Sequence, residues 1–274
     1  MQSVIADPSL APLGHQKIDW VAAHSPVLNR LFEEVLNDGS LKGRRIAVVV
    51  HLEAKTAYLA FLLQKAGAHV IAASSNPHST QDAVCAALVE RGVQVFARHG
   101  VSQAEFERDL ERVLEARPEF IIDDGAELVG RAVRRGGEIL AGIRGSSEET
   151  TTGVMKLEAM AAEGRLPFPA IAANHAACKH LFDNRYGTGH STLGAIMSAT
   201  NLFLTGKRVV VMGYGWVGRG VARYAAGLGA RVTVTEVDPI KALEAYADGF
   251  SVANSLDAAG YGEVFITTTG SVHV

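Results

Sequence analysis

A glycine-rich run followed by an acidic residue carries the clearest chemistry in the sequence. Gly213, Gly215 and Gly218 follow an apolar stretch at 208–212, and Glu236 stands 23 residues after Gly213, at the end of a second β-rich stretch. In this spacing the first glycine permits a tight turn, the second lets the backbone approach a pyrophosphate, and the third lets a helix pack against the strand. The helix N-terminus offers N–H groups to phosphates, and the acid can bind a ribose. The segment predicts a dinucleotide site; the alternative is a glycine-rich turn that binds no ligand.

Other polar residues have types and positions that could support acid–base chemistry, although each also has a structural explanation. Lys179 and Asp183 are four residues apart, so a helix would place them on one face, as a catalytic pair or as a surface salt bridge. His51 ends an apolar stretch and is either a catalyst or a satisfied core histidine. Asp124, with Asp123 before it, follows another apolar stretch and could simply cap the next turn.

A run of hydroxyl side chains adds a further candidate. The sequence SEETTTG (147–153) predicts the start of a helix, with a capping residue and acids in its first turn. Asn174 ends the next apolar stretch.

The elements that must position these residues alternate along the first part of the chain. The expected strands are 45–51, 69–73, 93–97, 120–124 and 170–174, and the expected helices are 54–66, 81–91, 102–116 and 148–163. Such alternation predicts a mostly parallel sheet with helices on both faces. The active site of such a sheet lies beyond the carboxyl ends of its strands, where His51, Asp124 and Asn174 stand.

The second part of the chain has the same character. Residues 174–205 read as helix and connector, and then strands are expected at 208–212, 231–235, 251–253 and 263–269, with a helix at 239–247. We therefore predict an α/β protein with two Rossmann-like domains, a substrate domain at 1–185 and a dinucleotide-binding domain at 186–274. Four strands are fewer than the six of a complete dinucleotide fold, so we expect the chain to be a fragment or to lack later residues.

Composition excludes several classes of function. Apolar residues make up 48% and charged residues 20% of the 274 residues, and the formal net charge of −3 gives no basic excess for nucleic acid or an anionic membrane. We expect no signal peptide and no membrane-spanning helix. The two cysteines, Cys85 and Cys178, make no disulfide framework, which favours the cytoplasm. The histidine spacing supports no metal site.

Taken together, these segments resemble the S-adenosylhomocysteine hydrolase family. The resemblance rests on collinear runs that cover most of the chain from about residue 40 onward. These runs are SSNPHSTQDAV (74–84), IIDDGAEL (121–128), GIRGSSEETTTGV (142–154), PAIAANHAACKHLFDNRYG (169–187), the GYGWVGRG loop (213–220), VTEVDPIKAL (234–243) and FITTTG (265–270).

The resemblance implies a tightly bound NAD and an elimination that depends on transient oxidation. In that family NAD+ oxidises a nucleoside 3′-hydroxyl to a ketone, which acidifies the neighbouring 4′ C–H. Removal of that proton expels the 5′ substituent, water adds to the enone, and the ketone is then reduced. The cofactor is thus a catalyst rather than a consumed reagent.

The resemblance also implies a role for each candidate residue. Lys179 would be the base for the 3′-hydroxyl and Asp183 would orient it. Glu149 would hold the ribose hydroxyls, and Asp124 and His51 would handle the 4′ proton and the leaving group. The implied substrate contacts are Glu53, Lys55 and Asn174. The implied cofactor contacts are Thr150, Thr151, Thr152, Asn184, Gly213, Gly215, Trp216, Val217, Gly218, Glu236 and Thr269.

The chain departs from the family pattern at its periphery. Glu53 and Lys55 replace a threonine and a glutamate or glutamine at the adenine end of the substrate. His175 replaces an aspartate, Thr188 a cysteine, and Lys241 an asparagine that holds the NAD ribose. The family's later segments and its C-terminal tail have no counterpart, so a homo-oligomer, tetramer or dimer, is expected from the family only.

These observations leave several functions open. We favour a diverged nucleoside lyase or dehydratase that acts by elimination at the 4′ and 5′ carbons. The first alternative is a genuine adenosylhomocysteinase that releases adenosine and homocysteine. A catalytically silent NAD-binding regulator would not need the retained set of candidate catalytic residues, and an ordinary dehydrogenase would exchange its cofactor with solution.

Overall fold

The computed structural model describes residues 2–271 and residue 274. The chain divides into two compact units, one that ends at Asn174 and one that runs from His175 to Val274. Each unit is built around its own parallel sheet.

The first unit holds six strands and eight α-helices among its described residues. The strands are β1 (Arg45–Val50), β2 (His69–Ser74), β3 (Gln94–Phe96), β4 (Phe120–Asp123), β5 (Gly145–Glu148) and β6 (Ala170–Ala172). The helices are α1 (Ala11–Ala23), α2 (Pro26–Glu34), α3 (Ala54–Lys65), α4 (Asp82–Glu90), α5 (Gln103–Glu115), α6 (Glu127–Arg135), α7 (Gly137–Gly142) and α8 (Thr151–Ala162). The strand order is β3-β2-β1-β4-β5-β6, and every pair is parallel.

The continuous apolar run of β1 is explained by burial on both faces of the sheet. Ile46 and Val48 belong to an apolar cluster with side chains of α1, α3 and α4. Ala47 and Val49 point the other way, into a cluster with side chains of α5, α6 and α8. Successive strand residues face opposite sides, so a central strand must be apolar at every position.

One predicted element is wrong. Residues 148–163 were expected to form one helix, but Gly145–Glu148 is strand β5 and α8 begins only at Thr151. The expected first-turn acids and capping bond are also absent, because Glu148 belongs to the strand and Thr150, the residue before α8, makes no side-chain capping bond among the described residues. The run GSSE lacks the β-branched residues typical of strands; it becomes one because it pairs with β4 and β6 on its two sides.

The second unit holds four strands among its described residues, the number that the sequence predicted. They are β7 (Arg208–Met212), β8 (Arg231–Thr235), β9 (Ser251–Val252) and β10 (Val264–Thr267). The helices are a π-helix (Lys179–Thr188), α9 (Gly189–Thr200), α10 (Trp216–Gly227), α11 (Pro239–Ala247) and α12 (Ser255–Ala259). The strand order is β10-β7-β8-β9, all parallel. The predicted fold class, α/β with two Rossmann-like sheets, is confirmed.

Within the part of the chain that the structure describes, no helix is long and apolar enough to span a bilayer.

Candidate functional site

A histidine and an aspartate meet at the carboxyl edge of the first sheet. His51 follows β1 and Asp124 follows β4, and the register that pairs Val49 with Asp123 brings them together. His51 Nε2 lies 3.3 Å from Asp124 Oδ2. The Asp124 side chain is 10% exposed and the His51 side chain 47% exposed, so the pair has a buried acid and an accessible imidazole.

Two serines from the loop after β2 complete this cluster. Ser75 Oγ donates to Asp124 Oδ2 over 2.7 Å, and Ser79 Oγ lies 2.6 Å from His51 Nδ1. Both polar ends of the His51–Asp124 pair are therefore held by hydroxyl groups. We refer to these four side chains as the histidine cluster.

Two fully buried carboxylates lie directly before the candidate residues Asp124 and Glu149. Asp123 accepts hydrogen bonds from the N–H groups of Asp124, Leu128 and Val129 and so caps α6. This confirms for Asp123 the capping role that its position suggested. Burial raises the pKa of Asp123 to about 7, because three N–H donors only partly offset desolvation and the nearby Glu148 charge.

Glu148 has a matching role on the neighbouring strand. Its carboxylate accepts from the N–H groups of Gly125, Ala126 and Thr150, and burial raises its pKa although these three donors oppose the shift. Glu148 thus ties the loop after β4 to the loop after β5, which carry Asp124 and Glu149. A Cβ on Gly153 would lie 2.2 Å from the Glu148 carboxyl carbon, so glycine is required there.

Glu149 and Asn174 stand at the ends of β5 and β6. The Glu149 N–H donates to the Asp123 carbonyl over 3.1 Å, which fixes its backbone beside Asp124. Asn174 is fully buried, and its amide donates to the Thr151 hydroxyl over 3.2 Å. The structure thus brings His51, Asp124 and Asn174 to one edge of the sheet, as their positions at strand ends predicted, and places Glu149 at the same edge.

Glu53 and Lys55, the predicted substrate contacts, differ from each other in accessibility. Glu53 caps α3, because its Oε1 accepts from the N–H groups of Lys55 and Thr56 over 2.9 and 3.0 Å. The Lys55 side chain is exposed. The carboxylate is therefore already engaged by the helix, whereas the ammonium group is available to a ligand.

In the second unit, Lys179 and Asp183 form the predicted pair. Lys179 Nζ lies 3.4 Å from Asp183 Oδ2, with the lysine side chain 16% exposed and the aspartate 60% exposed. Both lie in the π-helix, a rare form that is frequently found at functional sites. Asn184 Oδ1 in the same helix is buried and finds no hydrogen-bond partner among the described residues.

The π-helix packs tightly against α10. A Cβ on Gly220 of α10 would lie 1.8 Å from the Arg185 carbonyl oxygen, so only glycine allows this approach. The His180 ring stacks on Trp216, the first residue of α10, with centroids 5.6 Å apart and planes 14° apart. His175, which was not expected to share a face with His180, also lies beside it, with ring centroids 5.9 Å apart, because the segment is not an ordinary α-helix. The Lys179 segment is thus fixed beside the glycine loop.

The glycine loop has the geometry that its spacing predicted. Gly213 has φ +100°, which favours glycine, and a Cβ on Gly218 would lie 2.1 Å from the Gly213 carbonyl oxygen. A Cβ on Gly215 would meet no described atom within 4 Å. Gly215 is also the N-cap of α10. Because glycine has no side chain, it leaves the first N–H groups of this helix without a side-chain cap and the space before the helix open.

Glu236 and the threonines after β10 border this loop. Glu236 accepts from the N–H groups of Tyr214, Val237 and Asp238. Burial alone would raise its pKa, but these donors outweigh burial and hold the pKa below its usual value. Thr268 Oγ1 donates to the Met212 and Gly213 carbonyls, a contact not predicted, and the methyl group of Thr269 lies 3.0 Å from the Cβ position of Gly213.

These residues fit NAD. The uncapped helix N-terminus can take the pyrophosphate, and the ionised Glu236 can accept from ribose hydroxyls. The unpartnered Asn184 oxygen provides a further acceptor. Trp216 and Val217 lie in the first turn of the same helix.

The described residues contain no group of three histidine, cysteine or acidic side chains that could hold a metal ion.

Some of these residues could not be found from the sequence. Ser75 and Ser79 were noted only within the run SSNPHSTQDAV, and Glu148 was predicted only as an acid in the first turn of a helix. Its observed role, which ties two loops together, depends on strand β5, and that strand was not predicted.

Comparison with known proteins agrees with this geometry. The family model for S-adenosyl-L-homocysteine hydrolase matches residues 2–139, and the model for the NAD binding domain of S-adenosyl-L-homocysteine hydrolase matches residues 184–274. The second match confirms NAD, the cofactor that the resemblance implied, for the dinucleotide site predicted from the glycine loop.

Curated relatives share about half of the sequence. The chain is 51% identical over 268 residues to the S-inosyl-L-homocysteine hydrolase of Methanococcus maripaludis, covering 98% of this chain and 65% of the relative. It is 51% identical to the adenosylhomocysteinase of Thermococcus kodakarensis and 53% identical to that of Pyrococcus abyssi, covering 98% of this chain and 64% of each relative. The chain therefore spans just under two thirds of the length of these relatives.

A solved structure shares the fold at low sequence identity. A dipicolinate synthase polypeptide from Bacillus halodurans aligns with a TM-score of 0.50 and 15% identity, over 84% of this chain and 76% of that chain. This likeness concerns the fold alone. On the family matches, which cover both units, the chain belongs to the S-adenosyl-L-homocysteine hydrolase family.

Proposed function

We propose that the chain is the nucleoside- and NAD-binding part of a hydrolase that cleaves an S-nucleosyl-L-homocysteine into a nucleoside and homocysteine. The observation that carries this proposal is the Lys179–Asp183 pair fixed beside the glycine loop, because a base next to a dinucleotide site suits oxidation of a hydroxyl. The names of the relatives support a thioether substrate.

The second unit supplies the groups for oxidation at the 3′ carbon. NAD held at the glycine loop would supply a reversible hydride acceptor for that carbon. Lys179, in its neutral form, takes the hydroxyl proton, and Asp183 orients the amine. The tight contact at Gly220 keeps this segment from moving relative to the loop. Asn184 and Thr269 contact the cofactor in this proposal.

The first unit supplies the groups for elimination. The ketone at C3′ lets the His51–Asp124 pair remove the proton from C4′. The C4′=C5′ double bond then forms as the C5′–S bond breaks, and the sulfur leaves with the electron pair and is protonated. Water adds its oxygen to C5′, and a proton returns to C4′. After the ketone is reduced, the net change is thioether plus water to nucleoside plus thiol.

The remaining candidates of the first unit hold the substrate. Glu149 accepts hydrogen bonds from the ribose hydroxyls, and Asn174 aligns the ring. Thr150, Thr151 and Thr152 contact the nicotinamide end of the cofactor. The boundary at residue 185, the homo-oligomer and the cytoplasmic location stay predictions.

Lys55 favours a base with an oxygen at its 6-position. An ammonium group only donates hydrogen bonds, so it cannot accept one from the 6-amino group of adenine. The glutamate or glutamine that the family usually has at this position can accept it. The 6-oxo group of hypoxanthine accepts from the ammonium group. Glu53 uses Oε1 to cap α3, so we assign recognition of the 6-position to the exposed Lys55 rather than to Glu53. We therefore propose S-inosyl-L-homocysteine as the preferred substrate over S-adenosyl-L-homocysteine.

A lyase or dehydratase remains the second candidate. The altered periphery, with Lys55, His175 and Lys241 in place of the usual residues, is compatible with the same elimination chemistry on a different nucleoside or leaving group. Loss of water from the 5′ position would then replace loss of homocysteine.

Product analysis in heavy-oxygen water separates these functions. NAD-loaded protein is incubated with S-inosyl-L-homocysteine, S-adenosyl-L-homocysteine, inosine and adenosine, and thiol release and product mass are followed. Solvent oxygen at C5′ together with free thiol supports the hydrolase, whereas a nucleoside product lighter by one water supports the dehydratase. The base preference requires the inosyl substrate to react about tenfold faster, and Lys55→Gln to remove that preference. Equal rates on both thioethers in both proteins would contradict the role of Lys55.

A further inference from the structure

The hydroxyl of Ser79 occupies a position from which it can serve both protonation states of His51. Ser79 Oγ lies 2.6 Å from His51 Nδ1 and 3.0 Å from the Asn76 carbonyl oxygen. A hydroxyl carries one proton and two lone pairs, so it can donate to one of these neighbours while it accepts from another.

The surrounding contacts determine which arrangement accompanies which charge. His51 Nε2 lies 3.3 Å from Asp124 Oδ2, and this oxygen also accepts from Ser75 Oγ. Because a carboxylate only accepts hydrogen bonds, this contact favours the tautomer with the proton on Nε2. When His51 is neutral, its only proton is therefore on Nε2, and Nδ1 accepts from Ser79. When His51 is an imidazolium, Nδ1 also carries a proton. Its N–H then donates a hydrogen bond to Ser79 Oγ, and the Ser79 hydroxyl turns its own proton to the Asn76 carbonyl.

The Asn76 carbonyl does not depend on Ser79. Ser74 Oγ and Thr80 Oγ1 also lie within hydrogen-bond distance of it, at 2.9 and 3.2 Å. Two other hydroxyls can satisfy this oxygen, so the Ser79 proton is free to point to either neighbour.

We propose that Ser79 is a positioning residue that keeps His51 hydrogen-bonded at Nδ1 whether the imidazole is neutral or charged. A group that takes up and releases a proton during elimination passes through both states, and a partner limited to donating or to accepting would fail in one of them. The proposal rests on the proposed function, because it assigns Ser79 to the elimination step rather than to oxidation.

The loop supplies a matched control. Ser79 and Thr80 both place a hydroxyl against the Asn76 carbonyl, but of these two contacts only that of Ser79 continues to His51. Ser79→Ala removes the His51 contact, and Thr80→Val removes a loop hydrogen bond alone. Ser79→Thr restores a hydroxyl, and Ser79→Cys retains the size of the side chain with a weak donor.

The test measures two partial reactions and one spectrum on the NAD-loaded protein. The absorbance of reduced nicotinamide after addition of inosine reports oxidation, and thiol release from S-inosyl-L-homocysteine reports the complete elimination. The ¹⁵N signal of His51 Nδ1, assigned by its loss in His51→Gln, reports the contact itself. We expect Ser79→Ala to slow thiol release at saturating substrate by about tenfold or more, to leave oxidation within about twofold, and to shift the Nδ1 signal.

Thr80→Val should keep both reactions and the Nδ1 signal, Ser79→Thr should regain thiol release, and Ser79→Cys should lie between serine and alanine. The proposal is overturned if Ser79→Ala leaves the Nδ1 signal in place, or if Ser79→Ala and Thr80→Val slow thiol release equally. If wild-type protein neither reduces its cofactor nor releases thiol, the proposed function fails, while the Nδ1 signal still decides the contact.

Discussion

The two sheets of this protein share one strand order but end in loops of opposite character. In the first sheet the order β3-β2-β1-β4 is followed by two more strands. Read from its β9 edge, the second sheet has the order β9-β8-β7-β10, which is also third, second, first and fourth within its unit. After its first strand, the second unit has three glycines and an open helix N-terminus at Gly215, whereas the first unit has His51 and a helix capped by Glu53. The same topology thus carries the glycine loop in one unit and the histidine cluster in the other.

The two helix N-caps differ in one side chain, Glu53 against Gly215, and we expect that difference to affect what each edge binds. The N–H groups at the start of α3 donate to the Glu53 carboxylate, which also repels phosphate. In the second unit the acid is Glu236, which follows the neighbouring strand β8. Its Oε2 accepts a hydrogen bond from the N–H of Tyr214 in the glycine loop. Function therefore depends on the loops and not on the sheet.

The largest expected effect comes from filling the glycine loop. Gly218→Ala should weaken NAD binding on the order of 100-fold, because its Cβ would lie 2.1 Å from the Gly213 carbonyl oxygen and displace the turn. Titration of the protein with NAD+ measures the loss. Gly227→Ala in the same helix is the control, since a Cβ there meets no described atom within 4 Å. Equal NAD affinity in the Gly218→Ala and wild-type proteins would show that the turn is not the binding site.

The comparison can be sharpened by making the second loop resemble the first. Gly215→Asp should cap α10 without a clash, since the backbone is extended and the space is open, and should weaken NAD binding by about tenfold or more through charge repulsion. The melting temperature without NAD should not fall. Gly215→Asn caps without charge and should lose less affinity; an equal loss in the two variants would point to steric exclusion instead.

The buried acids of the first unit predict a pH-dependent stability. Asp123 has a pKa of about 7 in the folded protein against 3.8 for the free side chain, so the folded state binds its proton more tightly than the unfolded chain. Its contribution to stability is complete below about pH 4 and is lost as the pH rises through about 7.

Asp123→Asn should reduce this fall in the free energy of unfolding, at a cost of about 1–3 kcal/mol for the lost acceptor bonds. Urea unfolding at about pH 5 and about pH 8 measures both effects. An unchanged difference between the two pH values would mean that Asp123 is ionised throughout.

The smallest effect concerns the cap of the first unit. Glu53→Ala should lower the free energy of unfolding by about 1 kcal/mol, because two N–H groups of α3 lose their acceptor. NAD affinity should be unchanged, as measured by titration. A gain in phosphate binding at the start of α3 would support the comparison of the two loops. An unchanged free energy of unfolding would show that Glu53 does not stabilise α3 as a cap.

How much of this could be predicted differs between elements and contacts. The bounds 208–212, 231–235 and 239–247 were predicted as observed, because apolar runs between glycines, acids and proline define them locally. Strand β5 was missed because its small polar residues form a strand only through two neighbours. Helices α1, α2, α6, α7 and α12 were not predicted.

Contacts between distant residues depended on register. The candidates His51 and Asp124 were named from their positions at strand ends, but the contact of Ser79 with His51 spans 28 residues. It follows from the pairing of Val50 with Ser74, which places the loop after β2 beside His51. No local pattern contains that information.

Transient oxidation is the central claim, and the cofactor reports it directly. NAD-loaded wild-type protein and Lys179→Met are mixed with inosine, and the absorbance band of reduced nicotinamide is followed. The band should grow in the wild-type protein and stay absent in Lys179→Met, which should still bind NAD. A wild-type protein that binds NAD and inosine but forms no reduced nicotinamide, or a Lys179→Met protein that forms it at the wild-type rate, would contradict the account.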